Sequence, residues 1–200
     1  MNSNVYSAPP TTLLLSGGRS SRFGTDKLKA NLGASRVIDF PIMAIAHLGG
    51  VAYEAGRSYS NFPQVPETED KSPLSAIAIA WIHIRARHSR DPMGLLVVAG
   101  DMPLLTPQVL RSIAYFPSSS NVIPYDGHRQ ILASRWSCRS LDLAIELSSI
   151  DPDIPTSKAI AGPTVILDNC KWRTSGLLSP FSDVDRPKDL KRIKVTRRIL

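Results

Sequence analysis

Paired glycines flanked by cations stand out in the stretch LLLSGGRSSRFGTDK, residues 13–27. Glycine loses the most backbone entropy on folding, and unpaired charges are costly to bury, so this composition is unfavourable for a protein core. Gly17 and Gly18 allow backbone N–H groups to point into a concavity, and Arg19, Arg22 and Lys27 would place positive charge at its rim. The stretch therefore predicts an anion site, and a triphosphate is the expected ligand.

The spacing of these glycines excludes two common phosphate loops. The stretch contains no GxxxxGK[ST] sequence, and its adjacent glycines do not form the GxGxxG of dinucleotide-binding folds. A second candidate for chemistry is Asp101, in AGDMP, directly after the apolar run GLLVVAG. Ligands of open α/β sheets bind beyond the carboxyl ends of the strands, where both features would lie. A carboxylate there suits Mg²⁺, which proteins usually hold through one or two carboxylates plus substrate phosphates.

The elements that must position these residues alternate between apolar runs and amphipathic stretches. This pattern predicts βα units, a mostly parallel sheet and helices on both faces. Strands are predicted in TTLLLS, GVAYEA, GLLVVAG, NVIPYD, QILASRW and TVILD, with NVIPYD and QILASRW pairing around a turn at Asp126 and Gly127. Helices are predicted in VIDFPIMAIAHL, PLSAIAIAWIHIRARH, TPQVLRSIAYF, SLDLAIELSS and RPKDLKRI, with one short helix in DPDIPTSKAIAGP. Thr106 is the expected cap of its helix, with Pro107 at the first helical position.

Length and composition predict one soluble domain. The 200 residues, 42% of them hydrophobic, suit a single domain over 1–200 with a core at about 11–193. No apolar run approaches the roughly 20 residues of a spanning helix, and the start MNSNVYSAPPTT lacks the features of a signal peptide. We therefore expect a cytoplasmic protein without a membrane partner. Cys138 and Cys170 show no CxxC or metal-like spacing, which argues against a disulfide framework or a zinc site.

The formal net charge of +7 raises the alternative of nucleic-acid binding. Part of the excess lies in RPKDLKRIKVTRR near the end of the chain, as expected for a solvated helix face. No basic stripe interleaved with aromatic residues is present, as RRM or OB folds would require. We therefore expect an anionic small-molecule ligand and no specific nucleic-acid partner.

Ordered motifs along the chain resemble one family. LLLSGGRSSRFGTDKLKANLG closely resembles the opening signature of the nucleotidyltransferases typified by molybdenum cofactor guanylyltransferase, L-A-G-G-x-S-x-R-M/F-G-x-D-K followed by a glycine. SPLSAIAIA is similar to the family's G-P-L-A-G/A-I-x-x-A, and VVAGDMPLLTPQVL to its D-M-P-F-L-x-P segment. DGHRQILASRW and SDVDRPKDL resemble D-G-R-x-Q-P-L-x-A-x-Y/W and D/N-V-D/N-T-P-E-D-L. The resemblance extends over most of residues 13–190.

The resemblance implies a GT-A-like doubly wound α/β fold and a transferase reaction. A phosphomonoester would attack the α-phosphorus of a nucleoside triphosphate, and pyrophosphate would leave. The implied substrates are GTP, or another nucleoside triphosphate, and a phosphorylated small-molecule acceptor such as molybdopterin, with Mg²⁺ as cofactor. A monomer or weak homo-oligomer is expected.

The same resemblance implies roles for particular residues. One of Glu67, Glu69 and Asp70 would read the guanine N1–H and amino group, with a solvated acidic loop as the alternative for all three. Nucleotide binding is implied for Leu15, Ser16, Gly17, Gly18, Lys27, Asp70 and Asp101. Catalytic roles are implied for Arg22, Lys27 and Asp101, and metal ligation for Asp101 and Asp185. For Asp185, as for Asp183, a helix-capping role before Pro187 is the alternative.

Some positions depart from the family pattern. Ser72 and Ala76 stand where many relatives carry glycine, Ile131 replaces a proline, and Arg186 and Lys188 replace threonine and glutamate. These departures keep other hypotheses open. They are a CTP:molybdopterin cytidylyltransferase, a phospholactate-type guanylyltransferase and a nucleotide-binding homologue without catalysis.

Overall fold

Eight strands and five helices form the fold in the computed structural model, which describes residues 10–18, 23–67, 72–88, 93–116, 119–169, 172 and 178–199. The strands are β1 (Thr11–Ser16), β2 (Asn31–Leu32), β3 (Ser35–Arg36), β4 (Ala52–Gly56), β5 (Leu95–Ala99), β6 (Asn121–Tyr125), β7 (Ala133–Trp136) and β8 (Thr164–Asp168). The helices are α1 (Asp39–Leu48), α2 (Pro73–Arg85), α3 (Pro107–Ala114), α4 (Cys138–Ile150) and α5 (Pro187–Ile199), with 3-10 turns at Lys27–Lys29 and Thr156–Ala159.

Six of these strands form one sheet in the order β4-β1-β5-β7-β6-β8. β1 runs parallel to β4 and β5, and β6 runs parallel to β8. Only β7 is antiparallel to its neighbours, β5 and β6. The prediction of a mostly parallel, doubly wound sheet is confirmed, as is the antiparallel pairing of NVIPYD with QILASRW. The two-stranded ribbon of β2 and β3 was not predicted.

Apolar clusters cover both faces of the sheet. Leu14, Leu96 and Val98 belong to the cluster that includes residues of α1, α3 and α5, whereas neighbouring side chains of β1 and β5 pack with α2 and α4. All five residues of β5 are buried. Successive side chains of a strand point to opposite faces, so a strand covered on both sides must be apolar throughout. This explains why GLLVVAG could be recognised as a central strand.

Hydroxyl groups begin three of the helices. Ser72, Thr106 and Ser137 each accept the backbone N–H three residues later, at the starts of α2, α3 and α4. Pro73 and Pro107 stand at the start of α2 and α3, where the missing N–H of proline is no loss. The predicted cap at Thr106 is confirmed, and Ser72 has a structural role that its sequence position did not reveal.

Two remaining expectations concern cysteines and membranes. Cys138 is half-buried, and Cys170 lies outside the described residues. Within the described part of the chain, no helix has both the length and the apolar character needed to cross a bilayer.

Candidate functional site

The glycine turn after β1 lies at the carboxyl edge of the sheet. Gly17 and Gly18 are exposed there, and Gly18 has a φ of +113°, a conformation that other residues rarely adopt. On the neighbouring strand, a Cβ atom at Gly56 would collide with the backbone nitrogen of Gly17 and would lie 2.6 Å from the Ser16 hydroxyl oxygen. Only glycine therefore lets the end of β4 approach the turn this closely.

Lys27 brings the glycine turn and the central strand together. It begins the 3-10 turn Lys27–Lys29, which the buried Leu28 anchors in the core. Its Nζ atom lies 2.6 Å from an oxygen of Asp101 and 3.1 Å from an oxygen of Asp185. Burial by itself would lower the pKa of Lys27, but the two carboxylates outweigh burial and raise that pKa above its ordinary value. Lys27 is therefore a firmly charged cation.

Three carboxylates converge beside this lysine. Oxygens of Asp101, Asp183 and Asp185 lie within 4.8 Å of one another. The backbone N–H of the buried Val184 donates to the Asp101 carbonyl at 3.0 Å, which ties residues 183–185 to the turn after β5. Loss of hydration, with repulsion from Asp101 and Asp185, raises the pKa of the Asp183 carboxyl. Crowded hard oxygen donors of this kind fit a divalent cation such as Mg²⁺.

Asp183 was considered on sequence only as a possible cap of the last helix. In the structure the helix start is capped by Asp189, whose carboxylate accepts the N–H groups of Asp185 at 3.1 Å and Arg186 at 2.8 Å. An acidic residue in the first turn that reaches back in this way is half of a capping box. Asp183 and Asp185 instead direct their carboxylates toward Asp101 and Lys27, and the two-residue spacing across Val184 was the available signal.

A cleft of about 390 Å³ extends from the glycine turn to Asp101. Of the residues predicted to bind nucleotide, it is lined by Leu15, Gly17, Gly18, Lys27 and Asp101. Ser16 is not among the lining residues. Its buried hydroxyl donates to a carboxylate oxygen of Glu54 at 2.5 Å. The structure therefore brings most of the predicted set together and turns the side chain of Ser16 away from the others.

Other residues around this cleft include one of the carboxylates expected to read the base and an additional arginine. Glu67 is exposed and lines the cleft, together with Ser72 and Ala76. Arg22, Glu69 and Asp70, for which roles were expected, lie outside the described residues. Arg57, for which the sequence predicted no role, also lines the cleft. Its position just after β4 was the available signal, because β4 ends at the same sheet edge as β1.

A second cavity, of about 420 Å³, adjoins the cleft and shares Met102 and Asp183 with it. One wall comes from the connection between β6 and β7, where the Gln130 amide donates to Asp126 at 2.7 Å. The opposite wall comes from residues 178–193 and carries several charged groups. The lining of this cavity carries the cations Arg186, Lys188 and Arg192, the carboxylates of Asp126, Asp183, Asp185 and Asp189, and the His128 ring.

The architecture and site define a class of protein. A doubly wound, mostly parallel sheet with a glycine turn, a lysine and clustered carboxylates at its carboxyl edge is the arrangement of an α/β phosphate-binding enzyme. The family described as MobA-like NTP transferase domain matches residues 12–149, and the chain belongs to that family. It is a nucleotidyltransferase.

Individual proteins support the same assignment. A Mycobacterium avium (strain 104) protein named "Probable molybdenum cofactor guanylyltransferase" is 26% identical over an alignment of 135 positions that covers 62% of this chain and 67% of the relative. The structure of molybdopterin-guanine dinucleotide biosynthesis protein A from Archaeoglobus fulgidus aligns with a TM-score of 0.71 at 18% identity, covering 95% of this chain and 100% of that one.

A cytidylyltransferase shares the fold as well. The structure of 2-C-methyl-D-erythritol 4-phosphate cytidylyltransferase from Thermus thermophilus aligns with a TM-score of 0.66 at 8% identity, covering 94% of this chain and 99% of that one. At such identities the two structural matches demonstrate the fold alone. The fold is therefore shared by transferases whose names specify different nucleotides.

Proposed function

We propose that this nucleotidyltransferase transfers GMP from GTP to the phosphate of molybdopterin. An oxygen of the acceptor phosphate forms a bond to the α-phosphorus of GTP. The bond from that phosphorus to the oxygen bridging the β-phosphorus breaks, and pyrophosphate leaves. The whole chain acts as one domain with a core at about 11–193, as a monomer or weak homo-oligomer.

The observation that carries this proposal is the pair of adjoining cavities. The cleft at Gly17, Gly18 and Lys27 suits the nucleotide, and the second cavity suits an acceptor that must approach the same phosphorus. They meet at Asp183 and Met102, next to the carboxylate cluster. Holding two reactants side by side is the main task in phosphoryl transfer, where the protein contributes positioning and charge stabilisation.

The proposed residue roles follow from charge and position. Leu15, Gly17 and Gly18 would contact the nucleotide, and Lys27 would hold the phosphates as charge shifts to the leaving pyrophosphate. Arg22, Asp70 and Ser16 keep the roles that the family resemblance implies. Residues proposed to hold Mg²⁺ are Asp101 and Asp185, to which we add Asp183. When bound, Mg²⁺ would supply neutralisation of phosphate charge.

The second cavity supports an anionic acceptor. Arg186, Lys188 and Arg192 line it beside Asp183, Asp185 and Asp189, and cations with several donors bind phosphate groups well. The polar groups of Asp126 and Gln130 face the same space and could contact a heterocyclic acceptor. Molybdopterin, which combines a phosphate with a polar ring system, fits this mixture.

The base is the point at which a second candidate function is worth testing. Glu67 lines the cleft, and a carboxylate is a suitable partner for the N1–H and amino groups of guanine. Ser72 and Ala76 line it too, where many relatives carry glycine, so the space for the base is altered. A cytidylyltransferase using CTP is therefore the second candidate.

A substrate matrix tests the proposal. Thermal unfolding would be measured with ATP, GTP, CTP and UTP, each with and without Mg²⁺. Pyrophosphate release would be measured on separate, folded samples with molybdopterin present. A ligand at about 100 times its dissociation constant adds roughly 2.7 kcal/mol of stability. We expect a Mg²⁺-dependent shift with GTP and pyrophosphate release only when GTP and molybdopterin are both present. The same pattern with CTP would select the second candidate, and the absence of molybdopterin-dependent pyrophosphate release with either nucleotide would refute both.

A further inference from the structure

The loop after β4 has a conformation that its own residues do not explain. Ser58 has a φ of +57°, in the left-handed region that non-glycine residues avoid. Such a conformation persists when surrounding contacts enforce it, and it often accompanies a functional constraint. Arg57 and Tyr59, which flank Ser58, both point toward the glycine turn and Lys27. Neither has a role in the function proposed above.

A buried carboxylate holds this loop in place. Glu54 has no exposed surface, and its oxygens accept hydrogen bonds from the Tyr59 N–H at 2.8 Å and the Ser60 N–H at 2.9 Å. The hydroxyls of Ser60 and Ser16 donate as well, each at 2.5 Å. Burial alone would raise the pKa of Glu54, but these donors outweigh it and keep the pKa below its usual value. The loop is thus tied to a charged anchor inside β4.

From this anchor two side chains reach Asp26, which directly precedes Lys27. The Tyr59 hydroxyl donates to the Asp26 carboxylate, and Arg57 Nη1 donates to the same oxygen at 2.9 Å. Arg57 Nη2 also donates to the Gly18 carbonyl at 3.2 Å. The contacts therefore reach the chain on both sides of residues 19–22, at Gly18 and at Asp26.

Asp26 in turn sets the start of the turn that carries Lys27. Its other carboxylate oxygen accepts the backbone N–H of Leu28 at 3.2 Å, which caps the 3-10 turn. Lysine has a long, flexible side chain, so the direction of its ammonium group depends on how firmly its backbone is held. The chain of contacts from Glu54 to Lys27 is complete among the described residues.

We propose that Tyr59 is a positioning residue of the nucleotide site, acting through Asp26 to hold Lys27 toward the triphosphate, with Arg57 as the second arm of the same clamp. The inference deepens the proposed function and rests on it for the identity of the ligand. Tyr59 is not among the residues that line the cleft, so its effect on a bound nucleotide must pass through Lys27. The aromatic ring itself stays in place without the hydroxyl, because Lys29 and Arg36 lie about 6 Å from its centre.

A first experiment needs no ligand. Tyr59→Phe removes only the hydroxyl, and Tyr53→Phe is the matched control, since the Tyr53 hydroxyl contacts His88 at 3.4 Å and lies outside the cleft lining. Amide hydrogen exchange at Leu28 reports the cap by Asp26. We expect this amide to exchange faster in Tyr59→Phe than in the wild type and to be unchanged in Tyr53→Phe. Equal exchange in all three proteins would overturn the inference, whatever the protein binds.

A second experiment uses GTP with Mg²⁺, and tripolyphosphate as a probe of the phosphates alone. The affinity of Tyr59→Phe is expected to fall roughly tenfold, the value of one hydrogen bond to a charged group. If Tyr59 acts through Lys27, Tyr59→Phe will have no further effect in a Lys27→Ala background, so the double-mutant cycle is non-additive. Additive losses would refute the route through Lys27. Absence of GTP binding by the wild type would refute the proposed nucleotide, and the Leu28 exchange result would still decide the clamp.

Discussion

The two adjoining cavities are assembled in different ways. The nucleotide cleft lies at the ends of β1, β4 and β5, three parallel neighbours whose carboxyl ends meet at one edge. The second cavity instead joins the β6–β7 connection to residues 178–193, which lie far apart in sequence. Parallel-strand topology forces the first set of residues together, whereas the second set meets only because a late segment packs onto the core.

The contacts at the junction show how that late segment is held. The Val184 N–H donates to the Asp101 carbonyl, and the Trp172 and Phe181 rings pack edge to face with their centres 5.0 Å apart. Both residues of that ring pair are buried. The two sides of the site should therefore respond separately to substitution, except at the cluster of Asp101, Asp183 and Asp185, which lies where the cavities adjoin.

The largest effect is expected at this junction. Asp101→Asn removes one charge from the carboxylate cluster and from the Lys27 pair. Loss of one preorganised electrostatic group lowers kcat by on the order of 10²–10³-fold, and we expect pyrophosphate release to fall by that amount. Asp153→Asn, an exposed substitution outside both cavities, serves as the control. An Asp101→Asn enzyme with wild-type turnover would remove Asp101 from the site.

Lys27→Ala should affect the nucleotide side alone. Removing an ammonium group that hydrogen-bonds a phosphate is expected to raise the KM for GTP by about 10- to 100-fold and leave the KM for the acceptor unchanged. Lys158→Ala removes an exposed cation outside both cavities and is the control. Steady-state kinetics with each substrate varied in turn gives both constants. Equal changes in the two KM values would argue against separate sides.

The converse prediction concerns the second cavity. Arg192→Ala is expected to raise the KM for the phosphorylated acceptor by about fivefold, since an exposed charge pair contributes up to roughly 1 kcal/mol, and to leave the KM for GTP unchanged. Lys194→Ala lies two residues away on α5, is exposed and does not line the cavity, so it controls for net charge. A change in the GTP constant alone would place the nucleotide in this cavity.

The smallest expected effect on chemistry comes from Glu54, which supports the nucleotide side without lining it. Its lowered pKa means that the unfolded chain binds more protons in mild acid, so Glu54 stabilises the fold above about pH 4.5 and this contribution disappears as the pH falls. Glu54→Gln should cost about 1–3 kcal/mol at pH 7, because its amide cannot accept all the donors it meets.

Thermal unfolding across pH checks this prediction. The difference in melting temperature between wild type and Glu54→Gln should be largest at neutral pH and shrink below about pH 4.5. Glu146→Gln, the same change at an exposed site on α4, should leave the wild-type profile unaltered. A pH-independent difference would mean that the carboxylate charge is not what holds the loop.

Much of the fold and of the nucleotide side could be read from the sequence. The apolar runs of β1 and β5 identify buried strands, and the glycine turn and Asp101 follow them directly. The capping residue Thr106 was recognisable because its partner lies three residues away. The second cavity was less accessible. The family resemblance implied that Asp101 and Asp185 share a metal, but no local pattern shows that residues 178–193 pack opposite the β6–β7 connection.

Sequence by itself therefore determined the strand and helix order, the sheet class and the residues that end at the sheet edge, because these depend on periodicity and on parallel topology. Tertiary structure decided where individual side chains point. Ser16 faces Glu54, Ser72 caps α2 and Asp183 joins the carboxylate cluster. The contacts of Ser16 and Asp183 depend on partners that only the packing of the whole chain brings near, whereas the cap at Ser72 is a local contact with Ser75. The site depends on both, because the sheet topology brings its residues to one edge and tertiary packing orients their side chains.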